Sequence, residues 1–150
     1  MKKLCGNCNV CCITYRIDKK HLSWRDIDKE AGETCDKLIN KRCARYKNRP
    51  KPCKKYECLW LQILKLNMND LCPVKWRPDN FGIIVNTKQN EENIFHYNVE
   101  ELEEGKLDLN NSEILSFMDM IFTFKKKRKG TSRVIIYHFG KDKGHQIKQD

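Results

Sequence analysis

Cys5-Gly6-Asn7-Cys8-Asn9-Val10-Cys11-Cys12 stands near the start of the chain, and Cys35, Cys43, Cys53 and Cys58 follow it. Eight of the nine cysteines therefore fall within the first 58 residues. Two Cys-x-x-Cys steps run together place three thiols within one tight turn, close enough to grip a soft ion or an iron-sulfur cluster. Thiolates suit zinc and cluster iron, whereas calcium and magnesium want oxygen. The spacing leaves zinc and iron-sulfur both open: the two-residue gaps are those of ferredoxin turns, but the Cys-Pro ending of such runs is missing. Cys11 and Cys12 add a constraint. In an extended segment neighbouring side chains point to opposite sides, so the pair is expected to face two centres, or to supply one ligand and one spare thiol.

Working outward, the chain is 150 residues long, enough to bury a core as one domain. Residues 1–72 read as a cysteine-rich metal-binding half and 73–150 as an α+β half. No apolar run approaches the ~20 residues needed to cross a bilayer, so no membrane partner is expected. Lys2 and Lys3 resemble the start of a signal peptide, but polar Gly6, Asn7 and Asn9 occupy the place of its apolar stretch. The expected compartment is a reducing cytoplasm, where grouped cysteines serve metals or catalysis rather than disulfides. The formal charge of +10 counts thiols as neutral. Eight thiolates on two divalent ions would set eight negatives against four positives and bring it to about +6.

The expected elements follow from periodicity. Ile13 to Ile17 alternates apolar and polar residues and predicts a short strand. Ser23 to Gly32, with a hydroxyl cap, acidic first turn and terminal glycine, predicts a short helix. Cys35 to Pro52 predicts an ordered loop held by Cys35, Cys43 and Cys53. A helix is predicted from Pro52, with Tyr56, Leu59, Trp60, Ile63 and Leu64 on its apolar face, then a loop from Asn67 to Pro78 carrying Cys72 as a buried small hydrophobe. Strands are predicted over Phe81 to Val85, Asn93 to Val99 and Arg133 to Phe139. A helix is predicted from Ser112 to Phe124, with Leu115, Met118, Ile121 and Phe122 inward. The fold class is α+β: a cysteine-rich lobe of loops and short helices, then a small sheet with one packed helix.

The opening cysteines, then Cys35, then Cys43-x-x-Tyr46-x-x-Arg49-Pro50-x-x-Cys53-x-x-Tyr56-x-Cys58, resemble the YkgJ-type CxxCxxCC family of zinc- or iron-chelating domains. Arg77-Pro78-Asp79 with Gly82-Ile83-Ile84-Val85 is similar to a segment that follows the motif in that family. The resemblance implies metal binding by Cys5, Cys8, Cys11, Cys12, Cys35, Cys43, Cys53 and Cys58. The family includes flagellin lysine-N-methylases, associated with an iron-sulfur cluster and methyl transfer. This chain departs from those enzymes in having no glycine-rich loop after a strand to cradle a nucleotide-like methyl donor. Tyr46, Arg49 and Tyr56 are candidates to donate to thiolates and orient them.

Three function classes are set against one another. The first is a metal-binding protein with a structural or partner-serving centre. The second is a cluster-dependent enzyme of methyl-transfer or redox type. The third is a zinc-organised nucleic-acid-binding module using Lys125, Lys126, Lys127, Arg128 and Lys129 on phosphates. That cationic run also suits the C-terminal end of a helix dipole. No nucleophile motif and no paired carboxylates stand out, and His21, His96, His138 and His145 are scattered.

Overall fold

The computed structural model describes residues 5–149, so Lys2 and Lys3 of the opening segment lie outside the described residues. The chain is α+β and divides into two compact units, Met1–Tyr56 and Glu57–Asp150.

In the first unit the predicted Ile13 to Ile17 strand does not form. Val10 already has helical backbone angles, and its carbonyl accepts the amides of Ile13 and Thr14 at 3.0 and 2.9 Å and the Thr14 hydroxyl at 3.0 Å. The result is a one-turn helix, α1, Cys11–Thr14. Only Ile17 makes a strand-like contact, exchanging two 2.9 Å backbone bonds with Lys29.

The predicted Ser23 to Gly32 helix is absent as well. Its acidic residues serve other partners: Asp28 binds Arg16 at 2.8 Å and the Lys19 amide at 2.7 Å, while Arg25 reaches Glu33 at 2.7 Å. The Asp28 bonds reach residues 12 and 9 positions away, so tertiary partners override the local helix signal and hold the segment open.

The expected Cys35 to Pro52 loop contains a miniature hairpin, β1 Leu38–Ile39 with β2 Arg42–Cys43. Asn40 and Lys41 both have positive φ, 48° and 61°, as a two-residue hairpin turn of right-handed twist requires. A single 3-10 turn over Tyr46–Asn48 leads into α2, Lys51–Lys55, with Pro52 in its first turn.

In the second unit, α3 (Leu59–Lys65) begins after a break at Tyr56 to Cys58, so the predicted helix from Pro52 is two short helices. Single 3-10 turns at Asn69–Leu71 and Val74–Trp76 precede α4, Pro78–Phe81. Gly82, with φ 75°, ends α4 in the left-handed conformation and starts the sheet. Strands β3 (Ile83–Gln89), β4 (Phe95–Glu101), β5 (Ser132–Tyr137) and β6 (His145–Ile147) lie in that order. The β3–β4 and β5–β6 pairs are antiparallel, and β4–β5 is parallel.

A parallel pair needs a crossover, and α5 (Ser112–Lys127) supplies it. Asn111 caps α5 by accepting the Glu113 amide at 2.9 Å, and Lys125 to Lys127 occupy its last turn. Ile114, Phe117, Met118, Ile121 and Phe122 form its buried face. Leu115, expected inward, is 48% exposed. At Gly144 a Cβ would meet Ile135 at 2.4 Å, so only glycine lets the chain entering β6 approach β5 so closely.

Candidate metal centre

Five motif cysteines line one cavity of the first unit. Cys11 and Cys12 come from α1, Cys35 precedes the hairpin, Cys43 ends β2, and Cys53 sits on α2. Backbone bonds hold these pieces: the Cys35 amide donates to the Cys12 carbonyl at 2.9 Å, and the Ala44 amide to the Lys37 carbonyl at 2.8 Å. Because α1 is helical, Cys11 and Cys12 are separated by roughly 100° about its axis, and both reach the same cavity. The expectation that they face opposite sides assumed an extended segment, and the helical turn removes that premise.

The rest of the wall includes Tyr15, Trp24, Arg45, Tyr46, Arg49 and Tyr56. Tyr15 and Tyr56 stack with ring centroids 4.6 Å apart. Arg45 lies over the Trp24 ring at 5.2 Å and Arg49 over Tyr46 at 4.1 Å. The free space is about 50 Å³. One water occupies roughly 10–15 Å³ on this measure, and organic ligands fill roughly 300–1,000 Å³. The cavity is thus sized for an ion or a few-atom inorganic group.

Burial, then the neighbouring thiols Cys11, Cys35 and Cys43, pushes the Cys53 thiol up to about 11, while Arg49 opposes the rise. Crowded thiols resist losing protons together, so the cavity gains most from a cation that stabilises all of the thiolates. Two wall donors, Trp24 Nε1 and Arg45 Nε, are buried without an acceptor. Such orphans are costly, and thiolate or sulfide sulfur is the acceptor that this cavity could supply. By donor chemistry and by these two atoms, the residues fit a thiophilic ion or small cluster. Among the described residues no three His, Cys, Asp or Glu side chains already stand in holding geometry, so holding an ion requires the cavity thiols to draw closer together.

The other predicted residues are placed as follows. Cys5 and Cys8 form the turn before α1, joined by a 3.2 Å bond from the Cys8 amide to the Cys5 carbonyl, and Cys8 is buried. They are not among the cavity-lining residues. Cys58 belongs to the second unit, at the N-terminal cap of α3. Cys72 is buried there as expected, its thiol pushed up to about 12 by burial and by neighbouring Cys58. Arg49 lines the cavity while its Nε donates to the Tyr46 carbonyl at 3.0 Å. Lys125 and Lys126 line a groove with Lys148, and Arg128 covers the Phe95 ring at 3.5 Å. Sequence reasoning missed Tyr15, Trp24 and Arg45. Trp24 lay hidden within the predicted helix, and nothing in local spacing singled out the other two.

No family profile, curated protein or solved structure matches this chain.

Proposed function

We propose that the first unit is a thiolate metal centre, holding zinc or an iron-sulfur cluster, in a cytoplasmic protein of the YkgJ-like type. Its role is structural or partner-serving. The observation that carries this reading is the gathering of Cys11, Cys12, Cys35, Cys43 and Cys53 around one ion-sized cavity with two buried, unanswered N–H donors. Cys5 and Cys8, one turn earlier, are the further ligand candidates of this unit. When bound, the metal supplies a multivalent cross-link, and an iron-sulfur cluster would add one-electron chemistry. The chain's own groups wall the cavity with Tyr15, Trp24 and Tyr56, and Trp24 Nε1 and Arg45 Nε are buried donors available to a sulfur acceptor.

The small cavity volume favours this reading over a methyl-transferring enzyme, whose donor would need several times that space. Among the described residues no helix is long and apolar enough to cross a membrane. The deciding experiment is elemental analysis with ultraviolet-visible spectra on chain purified without oxygen. Bound zinc without colour selects zinc, and brown chain with iron and sulfide selects the cluster. Chain that carries neither, and takes up neither on reconstitution, overturns the proposal.

A further inference from the structure

Lys29 is 1% exposed, less than any other charged residue among those described. Its Nζ donates to three carbonyls, of Tyr15 at 2.7 Å, Ile13 at 3.2 Å and Glu30 at 3.3 Å, and no carboxylate pairs with it among the described residues. Carbonyl dipoles alone are poor compensation for a buried ammonium. The lysine is held there from both ends. Its backbone bonds Ile17 in both directions, and the Ile13 carbonyl that it grips also accepts the Gly32 amide at 2.9 Å.

Two of the gripped carbonyls, those of Ile13 and Tyr15, belong to the segment that carries the first cavity thiols. Ile13 directly follows Cys12, whose own carbonyl accepts the Cys35 amide, and Tyr15 lines the cavity wall. Burial pulls the Lys29 pKa below its ordinary value, while Cys35, Glu33, Cys12 and Cys53 act in the opposite direction. Thiolates outweigh the charge of the divalent ion that they bind, so a buried multi-thiolate complex is anionic and calls for a fixed cation. Arg45 and Arg49 line the cavity itself, each stacked on an aromatic ring, whereas Lys29 lies behind the lining residues, on the carbonyls of Ile13 and Tyr15.

We infer that Lys29 is the built-in counter-charge of the thiolate centre, a positioning residue that ties the Cys12 and Cys35 arms together and makes room for a net negative complex between them. This inference rests on the proposed metal-binding function. It predicts that the positive charge at this place, rather than the shape of the lysine, sets the affinity of the centre.

The test is a Zn²⁺ titration of the full reduced chain against a chromophoric chelator, comparing wild type, Lys29→Met and Lys29→Arg. Lys29→Met is expected to bind zinc roughly 10- to 100-fold more weakly, the range for groups that support metal ligands. Lys29→Arg is expected to stay within a few-fold of wild type. Equal affinity of Lys29→Met and wild type would overturn the counter-charge role and leave the metal centre standing, as would an equal loss in both variants. A wild-type chain that binds no zinc but takes up an iron-sulfur cluster would carry the same comparison of variants over to cluster loading, and one that binds neither would remove the metal-binding reading and this inference with it. Should Lys29→Met not fold, Co²⁺ loading of wild-type chain labelled with ¹⁵N-lysine supplies the second measurement. The Lys29 ammonium resonance is expected to shift or broaden on loading, and an unmoved resonance would overturn the inference.

Discussion

The two units reach order by opposite means. In the first, Cys8, Val10, Ile17 and Leu22 are the buried hydrophobic residues among those described; the second holds the remainder of the core, from Leu59 through Ile136. A segment the size of the first unit is marginal on apolar burial alone, and with so few buried apolar side chains it gains from a covalent or metal staple. The second has a four-stranded sheet and a 16-residue helix whose buried stripe explains itself. The difference is one of composition: the first unit holds seven of the nine cysteines and only four of the buried hydrophobic residues, Cys8 among them.

The strongest way to break that comparison is to strip the metal. Chelation of loaded, reduced chain is expected to collapse the backbone signals of the first unit while amide protection in β3 to β5 persists, since structural zinc contributes ~10–16 kcal/mol of apparent binding energy in small peptides. Hydrogen exchange read by NMR checks this, and a first unit unchanged by chelation would dissolve the contrast. Next in size is Ile121→Ala, at a fully buried position of α5. We expect a loss of about 2–5 kcal/mol in denaturant unfolding of the second unit, with metal content per chain unaltered.

Glu101 sharpens the picture at a lower level. It is 9% exposed and accepts the Leu107 amide at 2.5 Å and the Phe139 amide at 3.0 Å, pinning two loops of the second unit. Glu101→Ala orphans both amides and should cost about 1–3 kcal/mol, again with the metal centre intact. The smallest effect separates the two kinds of cysteine. Cys72→Ser is expected to cost about 1 kcal/mol and no metal, whereas Cys35→Ser should lower metal affinity. The folded chain keeps the Cys72 proton up to about 12, while the unfolded chain releases it near 9.0. Folded chain therefore binds more protons in that window, and stability falls as pH rises from about 9 toward 12. Cys72→Ser should flatten that alkaline limb in thermal melts.

Legibility differed between the units for a physical reason. The helix at Ser112–Lys127, the strands about Ile83, Val99 and Val134, and the burial of Cys72 follow from local period and apolarity. The edge strand His145–Ile147 was not expected: it is three residues long, and a close approach at Gly144 rather than a hydrophobic pattern admits it. In the first unit local pattern misled twice. Ile13 to Ile17 looked like a strand and Ser23 to Gly32 like a helix, because neither pattern reveals that Val10 starts a turn or that Asp28 is claimed by Arg16 and Lys19.

The residues by themselves determined the α+β class and the thiol-rich composition of the first unit, because periodicity and ligand softness are properties of neighbouring side chains. Only the tertiary structure decided that Cys11 and Cys12 share a cavity with Cys35, Cys43 and Cys53, that Trp24 and Arg45 in its wall leave buried donors unanswered, and that Lys29 is buried with its ammonium on the carbonyls of Ile13 and Tyr15. Those facts depend on which carbonyls and carboxylates claim each cation, and long-range hydrogen bonds leave no periodic trace in a chain.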